Sequence, residues 1–399
     1  MSTTAGPLRG IRVVDLSTIV AGPMATQIMA DQGADVIKVE APPRGDGTRH
    51  LGPCRNGYGA AFHIYNRGKR SVMLDLKTPD GIEALRKLIA RADVLLHNYR
   101  PKVTSRLGID YTSLSEAHPD LIYVAISGFG EEGPLAERPA FDHILQCYTG
   151  FAASQARQDS GGKPALAANI VCDKLTAMTA SQAVTAALFA RARGDGGQEV
   201  KLSMLGSAIA FLWPDAAGDL HLQGDGAEWR PNLADRVRLY HFRNGSGTFN
   251  GTDASFAALV EKLGSQTGTD PRLVNAAGRS AHPELMKLVE AEWAEAVSGM
   301  DVDEGLALIA STGAPCAKVR SLGDLVGDEQ VDAMGYLRLV DHPVAGSIRE
   351  PAPAASFSAT PLDEGPPGPT LGEHTKTVLA ELGYDAATIA TMRQAGALG

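Results

Sequence analysis

Cysteine is scarce in this 399-residue chain, and its four copies, Cys54, Cys147, Cys172 and Cys316, lie far apart. None stands in a C-x-x-C spacing, which argues for reduced thiols and against a secreted disulfide framework. A chain of this length buries a core large enough to need no cross-links. The ten histidines include no H-x-x-x-H pair and no H-E-x-x-H, so no metal site is expected. His143, His241 and His374 read as ordinary polar residues. G-x-S-x-G is missing too, which removes the strand-to-helix elbow of a serine hydrolase. No apolar run approaches the roughly 18 residues of a membrane span. The opening MSTTAGPLRG has no apolar core for a signal peptide. The expectation is a soluble, cytoplasmic protein with no membrane partner.

Positive charge is also short overall: the formal net charge is −9. General nucleic-acid binding needs a basic surface and is excluded. The deficit is uneven, however. Arg67 to Arg106 holds ten Lys/Arg against four acids, a segment of +6 in a remainder of −15. Arg86, Lys87 and Arg91 fit a solvated helix face. The other bases stand at strand ends and loops, where a small polyanion can be gripped.

What the chain does have is alternation. GIRVVDLS, ADVIKVE, RSVMLDL, DVLLHN and LIYVAIS read as strands. A helix begins near Pro23 and another covers TPDGIEALRKLIARA. Strands alternating with helices indicate βαβ units, a mostly parallel sheet and an α/β, Rossmann-like domain. A long Ala-rich helix follows, then the turn GDGG, the strand QEVKLSM and the apolar LGSAIAFLW. From Arg236 to Val319, short strands and amphipathic helices suggest a smaller α+β domain. The expected organisation is a large domain over 1–215, a linker over 216–235 and a small domain over 236–325. Residues 326–399 form a Pro-rich return linker and C-terminal helices that complete the large domain.

Two motifs need weighing. GFGEEG (Gly128–Gly133) follows a strand and matches G-x-G-x-x-G. Glu131 and Glu132 would repel a diphosphate, and GPLAERP after it does not read as a helix, so dinucleotide binding is rejected. In NIVCDKLTAM a single carboxylate, Asp173, stands where the Ala-rich helix begins near Lys174. Asp is a favoured N-cap, whose side chain would satisfy free N–H groups of the first turn. An ionised, partly desolvated carboxylate is equally a competent nucleophile toward activated acyl groups. Cys172 offers a rival thiol, although strand-like alternation would point the two side chains apart. Local sequence leaves cap and nucleophile both open.

Taken together, several segments resemble one family, the class III CoA-transferases of the formyl-CoA and carnitine CoA-transferase type. They are GIRVVDLSTIVAGPMATQIMADQGADVIKVE, GDGTR, NRGKRSVMLDLKTPDG, ADVLLHNYRP with RLGIDY, ISGFGEEGP with ERPAFDHILQ, VCDKLTAMTASQA, GAPCAKV and LGEHTKTVLAELG. The segments occur in family order across nearly the whole chain. The resemblance implies a two-domain α/β fold and an interlocked homodimer, each chain threaded through the other. It makes Asp173 the catalytic residue, forming a mixed anhydride and then an enzyme–CoA thioester. It also implies CoA contacts at Val20 and Ala21, at Leu74, Asp75, Leu76 and Lys77, at Asn98, Tyr99 and Arg100, and at Arg106. Arg138 and Phe141 should lie near the thioester end. No permanently bound cofactor is implied: a CoA thioester is the substrate, and a small carboxylic acid the acceptor.

The sequence departs from formyl-CoA transferases at Val20, where they have Gln, and at Ala41, where they have a basic residue. It also lacks their Gly-Gly-Gly-Gly run, so the resemblance does not carry formate or oxalate over as substrates. The related 2-methylacyl-CoA racemases place a His immediately before the Asp of the F-D-H segment, where this chain has Phe141. Racemisation needs that second acid/base. An inactive CoA-binding scaffold is the remaining alternative.

Overall fold

The computed structural model describes residues 5–156, 162–226 and 230–399. Residues 1–4, 157–161 and 227–229 lie outside it, the last three within the expected 216–235 linker. The chain divides into two compact units. One takes in Met1–Ala152, Leu166–Phe211 and Ala333–Gly399, and the other Ala153–Ala165 and Leu212–Asp332.

The larger unit is built on six parallel strands. They are β1 (Arg12–Asp15), β2 (Asp35–Glu40), β3 (Arg70–Met73), β4 (Val94–His97), β5 (Ile122–Ser127) and β6 (Gln198–Ser203), in the order β3-β2-β1-β4-β5-β6. The order reverses between β1 and β4, as in doubly wound nucleotide-binding sheets. Both faces are covered. On β1, Val13 and Val14 are neighbours in sequence yet belong to cores on opposite faces, the period-2 consequence of a pleated strand. Over the Val14 face lie α2 (Pro79–Ile89) and the C-terminal helices Thr375–Glu381 and Ala386–Gln394. Thr78 caps α2 by accepting from the Gly81 N–H (3.2 Å), and Pro79 occupies its first position.

Over the Val13 face lie α1 (Ala21–Asp31) and the long α4 (Val171–Ala190), which follows the short α3 (Asp142–Tyr148). Their shared surface is made of Ala21, Ala25 and Met29 from α1 and Ala177, Ala180 and Val184 from α4. Small side chains let two helices approach closely, which explains the alanine content of α4. LGSAIAFLW also proves helical, inside Met204–Ala216.

The smaller unit has an antiparallel sheet of β7 (Tyr240–Phe242), β8 (Gly245–Phe249) and β9 (Cys316–Lys318), in the order β9-β8-β7. Helices α5 (Pro283–Ser298) and α6 (Val302–Ala310) pack against it around Phe249, Trp293 and Leu306.

One element departs from the return linker and C-terminal helices expected over 326–399. A hairpin, β10 (Leu337–His342) and β11 (Gly346–Pro351), runs in register from Leu337↔Pro351 to His342↔Gly346. Its inward contacts are polar: Glu350 accepts from His63 Nε2 (2.6 Å), and His342 Nε2 bonds the Gly368 carbonyl (3.0 Å). An ion-paired docking surface leaves no apolar alternation to read, so the hairpin was invisible to hydrophobic pattern.

Gly22, in the first turn of α1, tests how tightly the β1–α1 loop is seated. A Cβ there would lie 2.3 Å from Ser17 Cβ and Oγ and 3.1 Å from Leu96 Cδ2. Gly22→Ala is expected to cost about 1–3 kcal/mol by overpacking, measured as a lowered urea midpoint. An unchanged midpoint would mean that the loop yields freely.

Candidate active site

Where strand order reverses, the loops after β1 and β4 part and leave a crevice at the carboxyl edge of the sheet, the usual ligand position in such folds. A cavity of about 320 Å³ opens there. Thr18 and Ile19 line it from the β1 loop, Asn98 from the β4 loop, Gly128 from the β5 loop, and Asp173 from the first turn of α4. Gly128 is needed for closeness, since a Cβ on it would stand 2.2 Å from that of Ala140.

Asp173 is not the N-cap. The helix begins at Val171 rather than near Lys174, its N-cap is Ile170, and Asp173 is the third helical residue. The capping role exists, but another carboxylate fills it: Asp142 Oδ1 accepts from the Asp173 N–H (3.1 Å). Asp142 is buried and held by Gln146 Nε2 on its Oδ2 (2.6 Å), one helical turn along α3. Gln146 also bonds the backbone at Ala167 and Asn169. With its own amide served by Asp142, the Asp173 side chain is released from capping and faces the cavity. There one oxygen, Oδ1, accepts from the Ala21 N–H at the start of α1 (3.2 Å).

The electrostatics also differ from a cap. Burial first, and the Asp142 charge second, push the Asp173 carboxyl up to about 6, against the one lowering influence of the Ala21 N–H. A group at that value is mostly ionised at neutral pH, yet more basic than an ordinary carboxylate. The rival Cys172 is sealed in the core among Phe129, Leu145 and Met204. Burial, with Asp142 and Asp173 beside it, pushes its thiol up to about 12, so no thiolate forms to compete. Because α4 has already begun, the two neighbours diverge by helical rotation, not by strand alternation.

The structure gathers only part of the expected site. Ala21, Asn98, Tyr99, Arg100, Arg138 and Phe141 line the cavity with Asp173. Val20 is buried beside it, and Leu74 is sealed in the core, leaving only backbone to meet a ligand. Asp75, Leu76 and Lys77 form the turn that starts α2, with the Lys77 N–H on Asp75 Oδ1 (2.9 Å). Arg106 stands exposed on the short helix Pro101–Leu107. Asp142, Gln146 and Tyr65 were not foreseen. Tyr65 is half-buried, and burial together with the Asp173 charge raises its hydroxyl pKa. The D-x-x-x-Q spacing of Asp142 and Gln146 was the available signal for the first two.

The basic segment is also less free to bind a ligand than its charge count suggests. Arg67 pairs with Asp31, Lys69 with Asp15, Arg70 with Asp35 and Glu381, Lys87 with Glu83, and Lys102 with Glu137. Much of the +6 is therefore spent on internal ion pairs. Lys77, Arg100 and Arg106 are exposed and without an ion pair among the described residues.

Comparison with known proteins decides the family. The sequence matches the family model for CoA-transferase family III over residues 8–375. The chain belongs to this family. It is 32% identical to the mouse succinyl-CoA:glutarate CoA-transferase, over 98% of this chain and 90% of that one. Identity to the succinate–glutarate CoA-transferase of Agrobacterium fabrum is 34%, over 94% and 96%. The crystal structure of a CAIB/BAIF family protein from Brucella suis is similar at a TM-score of 0.79 and 31% identity, covering 95% of this chain and all of that one. As a family III CoA-transferase, this chain is an enzyme that moves CoA between an acyl-CoA and a carboxylic acid.

For such a transferase, the raised Asp173 pKa has a measurable cost in stability. The folded value, about 6, exceeds the 3.8 of an ordinary aspartate, so folding favours the protonated form. Folding is therefore opposed by the ionised carboxylate at neutral pH, by at most about 3 kcal/mol before solvent screening. That opposition fades as pH falls through 6 toward 4. Asp173→Asn is expected to melt above the unsubstituted enzyme at pH 7.5, with the gap about halved at pH 5 and closing only below pH 4. A lower melting temperature at pH 7.5 would contradict this electrostatic account.

Proposed function

We propose that Asp173 carries the transfer covalently and that the acceptor is a short dicarboxylic acid. The observation that carries the first part is the placement of a half-buried, unusually basic carboxylate in the sheet-edge cavity, with a helix N–H on one oxygen. In the first step an Asp173 oxygen attacks the thioester carbonyl, the C–S bond breaks and CoA leaves as thiolate. The thiolate then attacks Asp173 Cγ in the mixed anhydride, displacing the donor acid as carboxylate and leaving an aspartyl–CoA thioester. Acceptor carboxylate attacks the same carbon, and thiolate leaves again. Finally the thiolate attacks the acceptor's carbonyl in the new anhydride and returns Asp173 as carboxylate. Each leaving group is a stable anion, so the cycle needs no proton donor, and each covalent intermediate keeps its acyl group activated.

That chemistry also weighs against racemisation. His143 is exposed, stacks on Phe141 (6.2 Å between centroids) and is not among the residues lining the cavity. A second acid/base facing the substrate is what a racemase requires.

Two features favour a dicarboxylate. Arg138 lines the cavity that holds Asp173, and a guanidinium group holds a carboxylate well. The mouse and Agrobacterium relatives carry names for succinate and glutarate. The rest of CoA would run over Leu74 to Lys77, Asn98 to Arg100 and Arg106, with Lys77 and Arg106 on its phosphates. The working unit in this reading is an interlocked homodimer. Met178 and Phe189 on α4 and Phe211 on the following helix are exposed apolar surface for a second copy to cover.

Incubation with succinyl-CoA, followed by intact-mass measurement, should add CoA to the enzyme at Asp173, and Asp173→Asn should show neither adduct nor turnover. Full transferase activity in Asp173→Asn would end the nucleophile assignment. Against a panel of mono- and dicarboxylic acids, short dicarboxylates should be the best acceptors, and Arg138→Gln should penalise them at least tenfold more than monocarboxylates, an order-of-magnitude estimate for a lost charge-assisted pair. Equal penalties would remove Arg138 from acceptor recognition.

A further inference from the structure

The loop between β1 and α1 is held at every residue. Ser17 donates its N–H to Asp15 Oδ1 (2.9 Å), and its carbonyl accepts from Lys38 Nζ (2.8 Å). Thr18 exchanges two hydrogen bonds with the Asn98 side chain (3.1 and 2.9 Å). Ile19 donates its N–H to the Asp46 carboxylate, 3.3 Å from both oxygens. Asp46 in turn forms an ion pair with Lys38 (2.9 Å), and both side chains are wholly buried. Two residues after Ile19 comes the Ala21 N–H that meets Asp173.

Ile19 itself is in the left-handed region, at φ 74°. A β-branched residue reaches that region only against steric resistance, and it stays there when its surroundings over-determine it. Nothing about the core calls for the kink, since the Ile19 side chain is exposed. The kink does bring the chain from buried Ser17 to the start of α1 at the cavity rim.

We infer that the buried Lys38–Asp46 pair is a positioning device: it holds Ile19 in its left-handed turn and so sets the Ala21 N–H against Asp173. The inference rests on Asp173 being the nucleophile, and it bears on the half of the cycle in which Asp173 is itself attacked. When thiolate or acceptor carboxylate adds to Cγ, the electron pair of the C=O moves onto an Asp173 oxygen, and it returns as the C–O or C–S bond breaks. A fixed N–H on that oxygen stabilises the charge as it gathers, provided the donor is already in place. Lys38, Asp46 and Ile19 touch no reacting atom in this scheme; they act through Ala21.

The test separates positioning from folding. In Asp46→Asn, the pair with Lys38 is lost while shape is kept. Discharge of the Asp173–CoA adduct by acceptor acid, followed by rapid quench and intact mass, is expected to slow roughly tenfold to a hundredfold, below the full loss of an oxyanion donor. KM for the acyl-CoA should change less than the discharge rate: Val20, Ala21 and Asn98 adjoin the loop, but the phosphate-binding Lys77 and Arg106 are not hydrogen-bonded to it. Adding Ile19→Gly to Asp46→Asn should restore part of the rate, because glycine adopts φ 74° without the cage. If Asp46→Asn does not fold, Asp46→Glu replaces it. It keeps a negative charge for Lys38 but moves the carboxylate off the Ile19 N–H, and it too should slow discharge. Unchanged discharge, a defect confined to KM, or no recovery with Ile19→Gly would overturn the cage. Absence of an adduct in the unsubstituted enzyme would instead overturn the nucleophile reading beneath it.

Discussion

Close packing of α1 against α4 is the contact on which the site depends. Alanines on both helices let the two approach over one face of the sheet, so that the first N–H of one meets a carboxylate in the first turn of the other. Larger side chains at Ala21, Ala25, Ala177 or Ala180 would part the helices, and the Ala21–Asp173 contact is the first thing a wider spacing would break. The sheet contributes the rest: the loops after the paired strands β1 and β4 part at the reversal of strand order and leave room beside that contact for a substrate.

Two acids divide what one seemed to do. Asp142 caps the first turn of α4 and is buried for that purpose, while Asp173 is left to face the cavity. Their proximity has an electrostatic consequence, because a capping charge so near raises the basicity of the second carboxylate. Buried charge serves the β1–α1 loop in the same economical way. Asp15 is fully buried, and burial opposes its ionisation. Lys69, Lys38 and the hydroxyls of Ser17 and Thr26 outweigh that opposition and hold its carboxyl well below the usual range. Ion pairs of this kind add little net stability, but losing one partner is costly. They give the loop a single geometry.

The central strands and α2 of the larger unit were legible because their apolar residues recur with the period of a strand or a helix. GIRVVDLS, ADVIKVE and DVLLHN all became strands of the parallel sheet, and TPDGIEALRKLIARA became α2. The hairpin over Leu337–Pro351 was not legible, since it docks through Glu350 and His342 instead of an apolar stripe. The basic segment was legible as composition but not as function. Four of its ten bases, Arg67, Lys69, Arg70 and Lys102, pair with acids distant in sequence, such as Lys69 with Asp15.

At Asp173 the division is sharpest. The sequence by itself determined the α/β order, the family and the singular carboxylate at the head of an Ala-rich helix, because these depend on local pattern and on motif order. It left cap and nucleophile indistinguishable, since both are met by an acid at a helix start. Only tertiary structure supplied Asp142 to take over the capping, Ala21 to meet the freed carboxylate, and the burial that raises its basicity. Those partners lie 31 and 152 residues away, and hydrogen bonding and desolvation act through space, where sequence neighbours carry no information about them.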